Sequence, residues 1–120
     1  MRERLTRDRE AYERRFPYQA ILTCGFGGDH INIAACFVGP PDTELEVRNG
    51  SEYGLYKVYE LTRVGRQTSK GLILDLESTF EISAQNSSDA VTLGLVVLDR
   101  NNKILYQRQV GQFGVVRFGN

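Results

Sequence analysis

Beyond position 17 the chain alternates apolar and polar residues over short runs, the two-residue period of strands with one face in a core. In the run 18–26 the alternation places Ala20, Leu22, Cys24 and Phe26 on one face. Residues 30–38 return the same way, with Ile31, Ile33, Ala35 and Phe37 on one face, across the Gly27-Gly28-Asp29-His30 loop. Pairing Phe26 with Ile31 sets Cys36 opposite Ile21, and the two thiols then fall on opposite faces, so no disulfide is expected. Further strands are expected at 44–48, 55–64, 72–76, 80–84, 91–98, 104–110 and 113–118, with 72–84 forming either two strands or one bent strand. The runs 91–98 and 104–110 make the clearest hairpin. Its Asp99-Arg100-Asn101-Asn102-Lys103 connection contains asparagines, which tolerate left-handed backbone.

Residues 2–16 follow a different pattern. Leu5, Tyr12 and Phe16, with Ala11 beside them, make a thin apolar stripe on a charged segment, which predicts a helix ended by Pro17. A helix with so little apolar surface is marginal alone and must lean on the rest of the protein. Charge pairs spaced i,i+4, Glu3–Arg7 and Glu10–Arg14, suit its solvated face.

At 120 residues the chain is long enough for one domain with a core of its own. The expected division is a helical segment, 1–17, and a β domain, 18–120. Fifteen basic residues balance fifteen acidic ones, which argues against a surface devoted to nucleic acid. The balance is uneven. Residues 1–16 carry six arginines against four acids, +2, leaving −2 for the remainder. No apolar run approaches the roughly 18 residues of a membrane span and no leader pattern is visible, so a cytoplasmic protein with reduced thiols at Cys24 and Cys36 is expected.

Candidate chemistry is sparse. Cys24, Asp29, His30 and Cys36 lie within thirteen residues but lack the spacing of a zinc knuckle. Gly25-Phe26-Gly27-Gly28 is too short for a phosphate fingerprint. The neighbour of the single histidine, Asp29, is too close in sequence to orient it as a triad would. Asp75 and Glu77 share a strand face as an ordinary exposed pair. The basic residues Arg63, Arg66 and Lys70 flank a polar turn and read as a solvated hairpin tip. Catalysis is therefore not expected, and neither is a metal or other cofactor.

Two islands carry more. Arg14-Arg15 precedes the first strand, and Asn49-x-Ser51-x-x-Gly54 lies between two strand-like runs, with Val47 before it and Gly54-Leu55-Tyr56 after it. In order and flanks these resemble the two signature blocks of the PilZ domain, a small antiparallel β-barrel family whose typical ligand is the bacterial messenger cyclic di-GMP. The closing Phe113-Gly114-Val115-Val116-Arg117-Phe118 echoes the family's last strand. The resemblance implies a cytoplasmic, non-enzymatic signalling module, monomeric or weakly dimeric. It would bind cyclic di-GMP, no nucleic acid and no membrane, and relay the messenger to a protein effector.

The implied ligand-binding residues are Arg14, Arg15, Tyr18, Asn49, Ser51 and Gly54. Arginine suits such a ligand because its planar fork can pair with guanine O6 and N7, stack on a base or pair with phosphate. The N-terminal segment would close over the nucleotide as a switch. Three features depart from the family pattern. Tyr18 stands where a further arginine is usual, Tyr53 where glycine is common, and residues 39–43 look inserted. Family members with degenerate arginine blocks act through protein partners instead. The alternative architecture is an immunoglobulin-like β-sandwich used for protein contact or assembly without nucleotide.

Overall fold

The computed structural model describes residues 2–26, 43–57, 65–68, 71–86 and 91–120. One helix precedes nine strands: α1 (Arg2–Arg15), β1 (Tyr18–Phe26), β2 (Thr43–Asn49), β3 (Glu52–Lys57), β4 (Arg66–Thr68), β5 (Gly71–Leu76), β6 (Phe80–Asn86), β7 (Val91–Asp99), β8 (Ile104–Val110) and β9 (Val115–Gly119). The strands form two antiparallel sheets, ordered β4-β5-β1-β7-β8 and β3-β2-β6-β9. The all-β class with an N-terminal helix is as the alternation predicts. Among the described residues the two sheets do not join into a closed barrel.

Each sheet turns one face of its alternating strands toward the other. Ala20 and Leu22 of β1, Leu72, Leu74 and Leu76 of β5, and Leu93, Leu95 and Val97 of β7 are buried from one side. Leu45 and Val47 of β2, Phe80, Ile82 and Ala84 of β6, and Val116 of β9 meet them from the other. An aromatic row closes one end: Tyr18 packs on Phe80 with ring centroids 5.4 Å apart, Phe80 on Phe118 at 5.9 Å, and Phe118 on Tyr106 at 5.3 Å. Offset aromatic contacts at these distances add to the burial of the rings.

Several expected boundaries shift. The run 72–84 is two strands in different sheets, β5 and β6, with Glu77-Ser78-Thr79 carrying the chain from one sheet to the other. β3 begins at Glu52, three residues before the apolar run that suggested it, because the turn before it takes only Gly50 and Ser51. The last strand begins at Val115, not Phe113. Phe113 instead takes a left-handed φ of 63° in a turn, with its N–H donating to the Asn86 carbonyl at 2.6 Å.

Ile21 is paired on both sides, with Ile73 and with Val96, so the expected pairing of Cys36 with Ile21 does not form. Residues 30–38, Asp29 and the side chain of Cys24 lie outside the described residues, and so does any reading of the thiols or of a zinc cluster. Of the proposed insertion at 39–43, residues 39–42 also lie outside the described residues and Thr43 is the first residue of β2. The β7–β8 connection behaves as expected, with Asn102 at φ 62°. Asp99 Oδ1 accepts the N–H groups of Asn101 and Lys103 at 2.8 and 2.9 Å.

α1 ends where Pro17 requires. The Phe16 N–H makes the last bond, to the Tyr12 carbonyl at 2.9 Å, and proline then offers no donor. Among the described residues no helix is long and apolar enough to cross a membrane.

Candidate functional site

The end of α1 is fixed to the first sheet by one carboxylate. Asp75 sits on the outer face of β5, opposite Gln19 of β1, and its side chain is only 13% exposed. The Tyr12 hydroxyl of α1 donates to Asp75 Oδ2. Gln19 Nε2 donates to Oδ1 at 3.1 Å, and Arg100 Nη2, from the β7–β8 turn, at 3.3 Å. Arg66 Nη2, on β4, lies 3.6 Å from Oδ2. Arg100 also donates through Nε to the Phe16 carbonyl at 2.7 Å, which ties the end of the helix directly to the β7–β8 turn. One side chain therefore joins α1, β1, β4 and the β7–β8 turn.

Burial opposes ionisation of Asp75. The hydrogen bonds from Tyr12 and Gln19, with the charges of Arg66 and Arg100, outweigh it and hold the carboxyl below its ordinary value. The same bond raises the Tyr12 hydroxyl above the usual tyrosine range, aided by burial and by the charge of Asp75, against the opposing arginines. The alternation in Leu72-Ile73-Leu74-Asp75-Leu76 puts Asp75 on the solvent side of β5. What covers it, the end of α1, comes from 60 residues earlier in the chain and leaves no local signal.

The Asn49-Gly50-Ser51 turn is built against the same corner. Asn49 pairs with Glu52 across a two-residue loop, and Gly50 takes a φ of 62°. Positive φ at the first loop residue is the pattern of a type II′ hairpin turn, which favours glycine. The Asn49 amide brackets the end of β5: Nδ2 donates to the Asp75 carbonyl at 3.0 Å, and Oδ1 accepts the Glu77 N–H at 2.7 Å. The Gly50 N–H donates to the Thr79 carbonyl at 2.9 Å. A Cβ on Gly50 would stand 1.8 Å from Glu77 Oε2. At Gly54 a Cβ would meet the Tyr56 phenol at 2.3 Å, so this glycine makes room for a ring that packs on the core. Asn49, Gly50 and Gly54 thus each have a structural task.

Two grooves flank the end of α1. The larger, about 770 Å³, runs between the helix and the β7–β8 turn and is lined by Arg14, Tyr18, Arg100, Lys103 and Leu105 with Glu10, Glu13 and Asp99. The smaller, about 400 Å³, lies between the helix, β4 and the hairpin turn, with Arg15, Phe16, Asn49, Glu52, Arg66 and Asp75 on its walls. Both volumes are in the range of small-molecule sites, roughly 300–1,000 Å³. Arg14 and Arg15 are both exposed and belong to different grooves. Arg14 Nε donates to the Glu10 carbonyl at 3.3 Å, and the expected Glu10–Arg14 ion pair gives way to Arg9–Glu13 at 3.3 Å. Arg15 lies 3.9 Å from Glu77 and 5.0 Å from the Phe16 ring centre.

The sequence-derived residues therefore gather at one corner but not in one pocket. Arg15 and Asn49 share the smaller groove, Arg14 and Tyr18 the larger, and Gly54 lines a third hollow of about 180 Å³ beside it, again with Asn49. Ser51 is exposed at the turn tip. Tyr18 has part of its surface committed to Phe80. Arg66, first read as a solvated tip, faces Asp75. Arg63 and Lys70 lie outside the described residues. Asp75, with Arg100, Tyr12 and Gln19, is the part of the corner that spacing in the sequence does not reveal. No protein-family model, no curated protein and no solved structure matches the chain.

Proposed function

We propose that the chain is a PilZ-like, non-enzymatic sensor that binds cyclic di-GMP at the corner where α1 meets the Asn49–Glu52 hairpin, and relays the messenger to a protein effector. The observation that supports this reading most is the shared groove. Arg15 of the arginine block and Asn49 of the Asn-x-Ser-x-x-Gly block are 34 positions apart in the chain, yet line the same 400 Å³ hollow.

The two-sided layout also suits the ligand. A cyclic dinucleotide has two bases and two phosphates, and a guanidinium stands on either side of the helix end, Arg15 in one groove and Arg14 in the other. Tyr18 supplies an aromatic surface in the larger groove for stacking. In this reading the hairpin contributes the Ser51 hydroxyl and backbone groups, with Asn49 holding the turn in place. α1, attached through a few polar contacts, is the element that closes on the ligand.

Thermal melting tests the proposal directly, because a ligand that binds only the folded state must raise Tm. Cyclic di-GMP at a hundredfold excess over Kd is expected to raise Tm by about 10 °C, and GMP to leave it unchanged. An unchanged Tm at millimolar cyclic di-GMP would rule the nucleotide out.

A second reading, a module for protein contact without nucleotide, is favoured by a separate observation. Among the described residues Tyr53 and Leu55 lie on edge strand β3, Ile104 on edge strand β8, Val115 on edge strand β9 and Phe113 in the turn before it, all as exposed apolar side chains. The two-sheet architecture suits it equally.

A further inference from the structure

The cations at this corner already hold an anion that belongs to the protein. Arg66 and Arg100 converge on Asp75 from different elements, while Arg15 reaches Glu77, two residues further on. The separations, 3.6, 3.3 and 3.9 Å, are longer than the roughly 2.7–2.9 Å of a well-formed charge-assisted bond. Asp75 also accepts hydrogen bonds from two uncharged groups, the Tyr12 hydroxyl on the helix and the Gln19 amide on β1. Two guanidiniums, Arg15 and Arg66, thus face the small groove and a third, Arg100, reaches the same carboxylate from the larger one, all loosely engaged with the acids, around a carboxylate that also accepts a bond from the element beside the groove.

We propose that Asp75 is an internal stand-in for a ligand phosphate, holding the arginines and α1 in place until a phosphate-bearing ligand takes the cations over. The inference rests on the cyclic di-GMP reading only for the identity of the ligand. A phosphate offers more charge and more acceptor oxygens than one carboxylate, and it can sit in the groove at optimal distance from Arg15 and Arg66, where Asp75, fixed on β5, cannot. When the arginines turn to it, Asp75 loses charges that offset its burial, and the arrangement that keeps it covered by the end of α1 becomes costly. The end of α1 then re-seats from the protein's carboxylate onto the ligand. Binding is thereby coupled to a movement of the N-terminal helix.

The test compares the wild-type chain with Asp75→Asn, Tyr12→Phe and Glu81→Gln. The last removes one charge from the Arg117–Glu81 pair on the opposite sheet and measures the general effect of losing a negative charge. Two quantities are read: the rate of tryptic cleavage at Arg9, Arg14 and Arg15 without ligand, and the affinity for inorganic phosphate followed by phosphorus NMR. Asp75→Asn is expected to be cleaved about tenfold faster and to bind phosphate about fivefold more tightly than Glu81→Gln. Tyr12→Phe is expected to be cleaved faster while its phosphate affinity stays within about twofold of wild type, because the cations remain occupied by Asp75.

Wild-type cleavage rates in Tyr12→Phe overturn the proposal, even if Asp75→Asn fails to fold. So does an Asp75→Asn protein that binds phosphate no better than Glu81→Gln. A parallel titration with cyclic di-GMP separates the two claims. Tighter phosphate binding in Asp75→Asn without any cyclic di-GMP binding supports the stand-in and ends the nucleotide reading.

Discussion

Asp75 is the residue on which the corner depends, and its charge state gives a pH signature. Its folded-state carboxyl lies below the ordinary value of about 3.9, so the stability it contributes is fully present above that value and is lost as pH falls through the lower folded value. Asp75→Asn should cost about 1–3 kcal/mol at neutral pH, toward the low end because Arg66 is largely exposed and its charge is screened. Melting curves of both proteins between pH 7 and 2 check this. The gap in Tm should be constant above pH 5 and close below about pH 4. A second single-residue prediction concerns the hairpin. Gly50→Ala forces alanine to a φ of 62° and displaces Glu77, and should cost about 1–2 kcal/mol in urea unfolding. Gly54→Ala should cost less, because the Tyr56 ring that it meets can swing aside.

Among the elements, α1 and β1 contrast most. β1 is hydrogen-bonded on both sides, to β5 and β7, and contributes Ala20 and Leu22 to the core. α1 leans on the sheet through Tyr12, itself 45% exposed, and through the Phe16 carbonyl. Local opening should therefore be far easier in the helix. Hydrogen exchange is expected to be about 100-fold or more faster for the amides of residues 10–15 than for those of residues 20–22. Much of this was legible in the sequence. The strict alternation from Tyr18 gave β1 its limits, and the charged segment ended by Pro17 marked out the helix before it. What stayed hidden was pairing between distant segments. The pattern at Ile21 marks a strand but does not say that Ile73 and Val96 would occupy both its sides. Likewise, the motif marks Asn49 as a candidate ligand-binding residue but does not say that its amide would bracket the end of β5.

For the molecule as a whole, the core between the two sheets carries the fold and the corner around α1 carries the proposed function, so the two can be perturbed separately. Leu95→Ala, fully buried between the sheets, should cost about 2–5 kcal/mol, whereas Arg14→Ala and Arg15→Ala, exposed at the end of α1, should stay within about 0.5 kcal/mol. That separation makes the arginine variants clean probes of binding. The measurement that bears most directly on the account is isothermal titration of cyclic di-GMP into the wild-type chain and into Arg14→Ala, Arg15→Ala and Ser51→Ala. The account predicts micromolar or tighter binding by the wild type, lost in both arginine variants and weakened in Ser51→Ala, with all four proteins equally folded. Absence of heat in the wild type at millimolar ligand, or binding unaffected by either arginine, would contradict it.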